Sequence, residues 1–261
     1  MRNFFKKLTT LLASHGPLIL LKRVGVKGKK VFSTPYWIAK LKWSINKQNR
    51  SLDEWVDFVV TDKSQQIFSL QDKWEISSLL EKAESIKPKR IAEIGTCMGG
   101  TLFLFSRVAQ ADAHLISVDL PYGPFGGGYG PWRIPLYKAF ARNNQKIDLI
   151  RGNSRSAGII ERFDALLGDN LLDLLFIDGD HTYEGVKADF EIYKKYVRSG
   201  GLIVFHDIAT PERVIDIDIY NNQQQRPPEV EKFWKEVKQD YDHEEFIVDG
   251  SVLGIGALVN P

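Results

Sequence analysis

Leu172-Asp173-Leu174-Leu175-Phe176-Ile177-Asp178-Gly179-Asp180-His181 is the stretch on which the architecture turns. A near-continuous apolar run of this length, closed by an acid and a glycine, is expected of a β-strand buried on both faces. Such strands belong to parallel sheets covered by helices on either side. Downstream, residues 183–197 read as a helix and 201–206 as another strand, ending Val204-Phe205-His206-Asp207. Upstream, strands are expected at 90–95, 115–119 and 147–151, and helices at 99–109, 131–143 and 157–167. Five strands separated by helices predict an α/β fold with a mostly parallel sheet and helices on both faces.

The flanks complete the pattern. Ser51-Leu52-Asp53-Glu54 is a capping-box sequence that opens a helix over 52–60. Trp74, Ile76, Leu79, Leu80 and Ala83 share one face of a second helix, which Pro88 stops. After a helix near 229–238 come two strands, 245–248 and 252–259. Asp249-Gly250-Ser251 lies between them, and Asp-Gly is a strong hairpin signal. The expected sheet therefore has seven strands, the last two forming a C-terminal antiparallel hairpin.

The chain has 261 residues, 43% hydrophobic and 26% charged, which suits one large domain with at most a small appendage. A disordered tail protein, a collagen-like rod and a coiled coil are excluded. The single cysteine, Cys97, excludes a disulfide framework and a zinc site built on several thiolates. It points to a reducing, cytoplasmic location. The net charge of +2 hides an asymmetry: residues 1–50 hold twelve Lys/Arg and no acid, leaving 23 basic and 33 acidic groups in the rest. We therefore expect a basic, partly helical N-terminal extension over 1–50 and a functional domain over 51–261. The extension suits phosphate, anionic lipid or the acidic body itself. Phe4, Phe5, Leu8, Leu11 and Leu12 beside Lys6 and Lys7 fit an interfacial helix, or one packed on its own domain or on a second subunit. Nothing approaches the roughly 20 apolar residues of a membrane span, and no cleavage site for a secretory leader is evident.

Ligands of open parallel sheets bind at the carboxyl ends of the strands. The first strand ends Ala92-Glu93-Ile94-Gly95-Thr96-Cys97-Met98-Gly99-Gly100-Thr101. Gly95 allows a tight turn, and Gly99 and Gly100 let a ligand approach the next helix N-terminus. G-x-G-x-x-G is absent, because its second glycine would fall at Cys97, which disfavours a nicotinamide-dependent oxidoreductase. Asp119 ends the second strand, where a carboxylate can accept ribose hydroxyls. Asn153 and Ser154 follow the third and could border an adenine ring. Asp178, Asp180, His181, His206 and Asp207 crowd two neighbouring strand tips, which suggests a metal or proton-transfer site. Residues 121–133 bring five glycines and four aromatics into one loop, suited to a lid over a ring-shaped substrate.

Ala92-Glu93-Ile94-Gly95 with Gly99, Asp119, the 176–181 stretch and Gly200-Gly201 together resemble class I S-adenosylmethionine-dependent methyltransferases. The closer likeness is to small-molecule O-methyltransferases of the catechol and macrolide-sugar kind, including the cephalosporin-hydroxylase-like branch. It covers about 90–207, and the terminal hairpin matches that Rossmann-like fold; residues 1–50 are not covered. The resemblance implies that Glu93, Gly95, Thr96 and Gly99 line the methionine end of the cofactor, with Thr101 near its carboxylate. Asp119 would hold the ribose, and Asn153 and Ser154 would sit beside the adenine. Asp178 would serve both cofactor and metal, with His206 and Asp207 completing a magnesium or manganese site and His181 as general base. Relatives carry an oxygen donor where this chain has His206. Magnesium prefers oxygen, so the metal is softer, or held by Asp178 and Asp207 alone, or absent with His206 on the substrate.

The implied activity is methyl transfer from S-adenosylmethionine to a hydroxyl of a small molecule, sugar or glycan. Dimers are common among such enzymes, so a homo-oligomer is a further expectation. One rival is a non-catalytic accessory or docking protein of surface-polysaccharide or natural-product synthesis that keeps the cofactor fold. Another, a nucleic-acid methyltransferase, is disfavoured because Phe205-His206-Asp207-Ile208 stands where an Asn/Asp-Pro-Pro-Tyr/Phe motif would fall.

Overall fold

The computed structural model describes residues 34–43, 50–61, 66–125, 127–209, 229–249 and 253–261. The chain divides into two units, residues 1–47 and 48–261. In the first, residues 34–43 form a helix, α1, on which the Tyr36 and Trp37 rings meet edge to face at 5.2 Å. The apolar pattern at 4–12 lies outside the described residues.

The second unit opens with α2 (Leu52–Val60) and α3 (Lys73–Ser85). Both start as their sequences dictate. The Ser51 N–H donates to Glu54 Oε2 at 2.8 Å while Ser51 Oγ accepts from the Glu54 N–H at 3.3 Å, a reciprocal capping box. Asp72 Oδ1 caps α3 through the N–H groups of Trp74 and Glu75. The alternation follows: β1 (Arg90–Ile94), α4 (Gly100–Val108), β2 (His114–Asp119), α5 (Ile134–Lys138), β3 (Lys146–Arg151), α6 (Ala157–Leu167), β4 (Leu172–Ile177), α7 (Tyr183–Tyr193), β5 (Val197–His206), α8 (Val230–Val237), β6 (His243–Phe246) and β7 (Ile255–Val259).

These strands make one seven-stranded sheet in the order β3-β2-β1-β4-β5-β7-β6. β1 to β5 pair in parallel; β7 is antiparallel to both β5 and β6. Alternate residues fill the two faces. Ala92, Ile94, Ile116, Val118, Leu175, Ile177, Ile203 and Phe205 pack with Phe163, Val186, Phe190, Phe233 and Trp234 of α6, α7 and α8. On the opposite face the Phe176 ring meets Phe105 of α4 at 5.5 Å. With both sides covered, β4 can be apolar almost throughout, and only its second residue, Asp173, escapes full burial.

Two expectations are corrected. Residues 131–143 do not form one helix: a 3-10 turn, Pro131–Arg133, leads into the single short helix α5. Pro131 and Pro135 suit helix starts rather than interiors. The terminal strands are antiparallel, but the last register pair is Phe246 with Ile255, so residues 247–254 connect them rather than 249–251 alone. Gly250 and Ser251 lie outside the described residues. A buried carboxylate on α3 holds this connection, as Glu75 accepts the N–H groups of Val248 and Gly254 at 3.1 Å each.

Candidate active site

The strand order reverses at β1: β2 and β3 lie on one side, β4 and β5 on the other. Loops leaving β1 and β4 in opposite directions open a crevice at their carboxyl ends. A cleft lies there in this chain. Gly95, Asp119, Phe125, Asn153, Ser154 and Asp178 are in its walls.

Gly95 brings the two strand tips together. Its φ is +96°, and a Cβ there would lie 2.0 Å from the Asp178 carbonyl oxygen. Gly99, at φ +76°, begins α4 without a side-chain cap, and a Cβ there would run into the Tyr137 ring. The Tyr137 hydroxyl donates to the Cys97 carbonyl at 2.8 Å, so this ring supports the whole turn.

Asp119 is 7% exposed, and among the described residues its Oδ2 has no hydrogen-bond partner. Burial pushes its carboxyl up to about 6, against backbone N–H groups of Tyr129, Cys97, Leu120 and Thr96 that favour the charge. Asn153 Oδ1 accepts the Arg155 N–H at 3.0 Å. Ser154 Oγ donates to the buried Asp189 carboxylate at 2.6 Å, so its hydroxyl is already committed. Glu93, Thr96, Gly99 and Thr101 are not in the cleft wall. Glu93 and Thr101 are buried, and Glu93 shares a row with Ser117 and Phe176 on the α4 face of the sheet. Burial, then the Asp178 charge, push the Glu93 carboxyl well above the usual range; the nearby Thr101 and Thr96 hydroxyls work the other way without hydrogen-bond geometry. The Thr96 and Ser117 hydroxyls bond to each other.

Beside the cleft, β4 and β5 deliver a second constellation. His181 Nδ1 lies 2.6 Å from Asp207 Oδ2, and its Nε2 lies 3.4 Å from Asp178 Oδ1. His206 Nδ1 lies 3.1 Å from Asp178 Oδ1 and 3.3 Å from Asp207 Oδ1. Burial alone would pull both imidazoles down; Asp207 and Asp178 outweigh it, raising His181 and taking His206 up to about 9. Burial likewise opposes the Asp207 charge, yet the two imidazoles hold its carboxyl below the usual range. Asp207 also has φ +62°, a strained conformation for a non-glycine residue. One donor atom each from Asp178, His181 and Asp207 lie within 4.8 Å of one another. Both imidazoles thus converge on the two carboxylates, and among the described residues His206 Nε2 is buried without a partner. Asp180 serves elsewhere: it binds the Thr182 N–H and hydroxyl and pairs with Arg155 at 2.8 Å.

Two neighbours flank this cluster. Phe125, from the glycine-rich loop, stacks on the His181 ring at 4.8 Å with 3° between the planes. Gln71 Nε2 donates to Asp178 Oδ2 at 3.1 Å. Glycine and aromatic content had marked the loop, but no signal marked Gln71, which lies 107 residues from its partner.

A doubly wound sheet with an antiparallel C-terminal pair and acids at the tips of β1, β2 and β4 defines the class I methyltransferase architecture. Residues 92–208 match the family model for a methyltransferase domain. An uncharacterized protein of Acanthamoeba polyphaga mimivirus is 35% identical over 127 residues, covering 44% of this chain and 49% of that protein. The chain spans about half, or less, of the length of the curated relatives it matches. Among solved structures, an O-methyltransferase from Bacillus cereus in complex with SAH has a TM-score of 0.53 at 17% identity, over 87% of this chain and 99% of that one. The O-methyltransferase TomG from Streptomyces achromogenes, in complex with SAM, has a TM-score of 0.52 at 16% identity, over 84% and 94%. These two likenesses establish the fold.

Proposed function

We propose that the chain transfers the methyl group of S-adenosylmethionine to a hydroxyl of a small molecule, sugar or glycan. The observation that carries this reading is that two sites share Asp178: a cleft with an unpartnered carboxylate oxygen on Asp119, and the Asp178–His181–Asp207 cluster. The cleft fits the cofactor on its own chemistry. Asp119 Oδ2 is an acceptor awaiting ribose hydroxyls, and Asn153 and Ser154 flank the place of the adenine. Gly95, Thr96 and Gly99 shape the methionine end, with Glu93 and Thr101 behind them. The bound cofactor supplies an already activated methyl group, so the protein's main task is to hold the acceptor oxygen in line with it.

The cluster fits a divalent cation: two carboxylates suit magnesium or manganese. We assign Asp178 and Asp207 as its ligands, with His206 buttressing both. A cation there would lower the pKa of the acceptor hydroxyl. His181 takes the proton: Asp207 orients its Nδ1 and raises its proton affinity, and Phe125 covers one face of the ring. We place the reaction in the cytoplasm, with residues 1–50 available to an anionic partner or membrane surface. Among the described residues, no helix is long and apolar enough to cross a membrane.

The test is transfer of labelled methyl from S-adenosylmethionine to a panel of catechols and sugars. Label on oxygen supports the reading. Label on nitrogen or carbon contradicts the hydroxyl assignment.

A further inference from the structure

Gln71 lies between α2 and α3, outside the 92–208 match. Its segment is pinned over the strand tips. Phe68 bridges in parallel to Gly99, and the Arg133 guanidinium donates to the Gln66 carbonyl at 2.6 Å. Gly100 approaches so closely that a Cβ there would lie 2.5 Å from the Phe68 carbonyl carbon. Gln71 is therefore delivered to the site by backbone packing, and it is 5% exposed.

Its amide has a definite orientation. An ionised carboxylate only accepts, so the NH2 end must face Asp178. Asp178 is then held from both oxygens: Oδ2 by Gln71, and Oδ1 by His206 with His181 nearby. Among the described residues the other end of the amide, Oε1, is buried with no partner, as is Ser69 Oγ two residues before it. An unpaired buried acceptor is costly unless a ligand satisfies it.

We propose that Gln71 is a positioning residue for Asp178, fixing that carboxylate for a divalent cation. This rests on the metal-assisted form of the reading above. It also makes the 66–72 segment part of the active site, although that segment lies outside the matched domain.

The experiment is a titration of Mn²⁺ alone, read by the paramagnetic resonance of free Mn²⁺, into the full chain and its Gln71→Leu and Gln71→Glu variants. S-adenosylmethionine affinity is measured in parallel. Outer partners of metal ligands typically contribute about 10–100-fold in metal affinity. Gln71→Leu is expected to lose about that much, with cofactor affinity unchanged. Gln71→Glu, which sets a further carboxylate beside the cation, is expected to bind Mn²⁺ at least as well as the parent. Unchanged Mn²⁺ affinity in Gln71→Leu overturns the proposal, and so does an equal loss in both variants, the mark of a merely structural residue. A parent chain that binds S-adenosylmethionine but no Mn²⁺ overturns it while leaving the methyltransferase reading intact. A chain that binds Mn²⁺ in a Gln71-dependent way but no S-adenosylmethionine supports the positioning role and overturns the cofactor reading.

Discussion

Asp119→Asn is expected to make the free protein more stable and a worse binder of S-adenosylmethionine. The Asp119 carboxyl is pushed up to about 6 from an ordinary 3.8, chiefly by burial. Between those values the folded chain holds a proton that the unfolded chain has released, so this group's contribution to stability falls as pH rises through the window. A gap of about two units corresponds to about 3 kcal/mol, fully present above about pH 6. Asparagine has no charge to bury, so the variant should gain up to that amount near neutral pH. Weaker bonds from the Tyr129, Cys97, Leu120 and Thr96 N–H groups offset part of it. A net gain of about 1–3 kcal/mol is a rise in Tm of about 2–12 °C for a domain of this size. Cofactor affinity should move the other way. Hydrogen bonds to a charged group contribute about 1.5–3 kcal/mol against about 0.5–1.5 for neutral ones, so losing the charge should weaken binding by about 5–13-fold. In the parent, if only the ionised carboxylate binds the ribose, affinity should drop by about tenfold from pH 7 to pH 5. Thermal unfolding against pH and calorimetric titration measure both. A variant less stable than the parent near neutral pH, or one with unaltered affinity, would refute the reasoning.

Gly95→Ala places a methyl group 2.0 Å from the Asp178 carbonyl oxygen at a φ of +96°. Left-handed strain and overpacking together should cost about 2–5 kcal/mol, and an unchanged melting curve would count against this close approach of β1 and β4. Glu75→Leu strips the acceptors from the Val248 and Gly254 N–H groups. The expected loss is about 2–5 kcal/mol by denaturant titration, and a loss under about 1 kcal/mol would show that the 247–254 connection is held by other means. His181→Ala should abolish methyl transfer while sparing S-adenosylmethionine and Mn²⁺ binding. Loss of Mn²⁺ affinity instead would make His181 a ligand rather than the proton acceptor.

The sequence was most legible where one local rule sufficed. Ser51 and Glu54 announce their helix, and the apolar run 172–177 announces a strand buried on both faces. Gly95, Asp119 and Asp178 were placed at strand tips by counting elements alone, and they do meet around one cleft. Where geometry depended on tertiary packing, the reading fell short. Residues 131–143 carry enough apolar character for a helix, but the chain there bends to bring Tyr137 against the Gly99 turn, and α5 stops at Lys138. Asp-Gly at 249–250 suggested a tight hairpin, whereas pairing begins only at Phe246 and Ile255. Spacing could not say that both His181 and His206 would converge on the two carboxylates, because that depends on how the chain turns after β4 and β5. Gln71 was invisible for the same reason: its role comes from a segment that docks on the strand tips from far away in the chain.

The most direct measurement is calorimetric titration of S-adenosylmethionine into the full chain near neutral pH, with Asp119→Asn alongside. The account predicts a single site of micromolar affinity in the parent and a clear weakening in the variant. No heat of binding in the parent, with or without added Mg²⁺ or Mn²⁺, would contradict the claim that the cleft between β1 and β4 holds this cofactor.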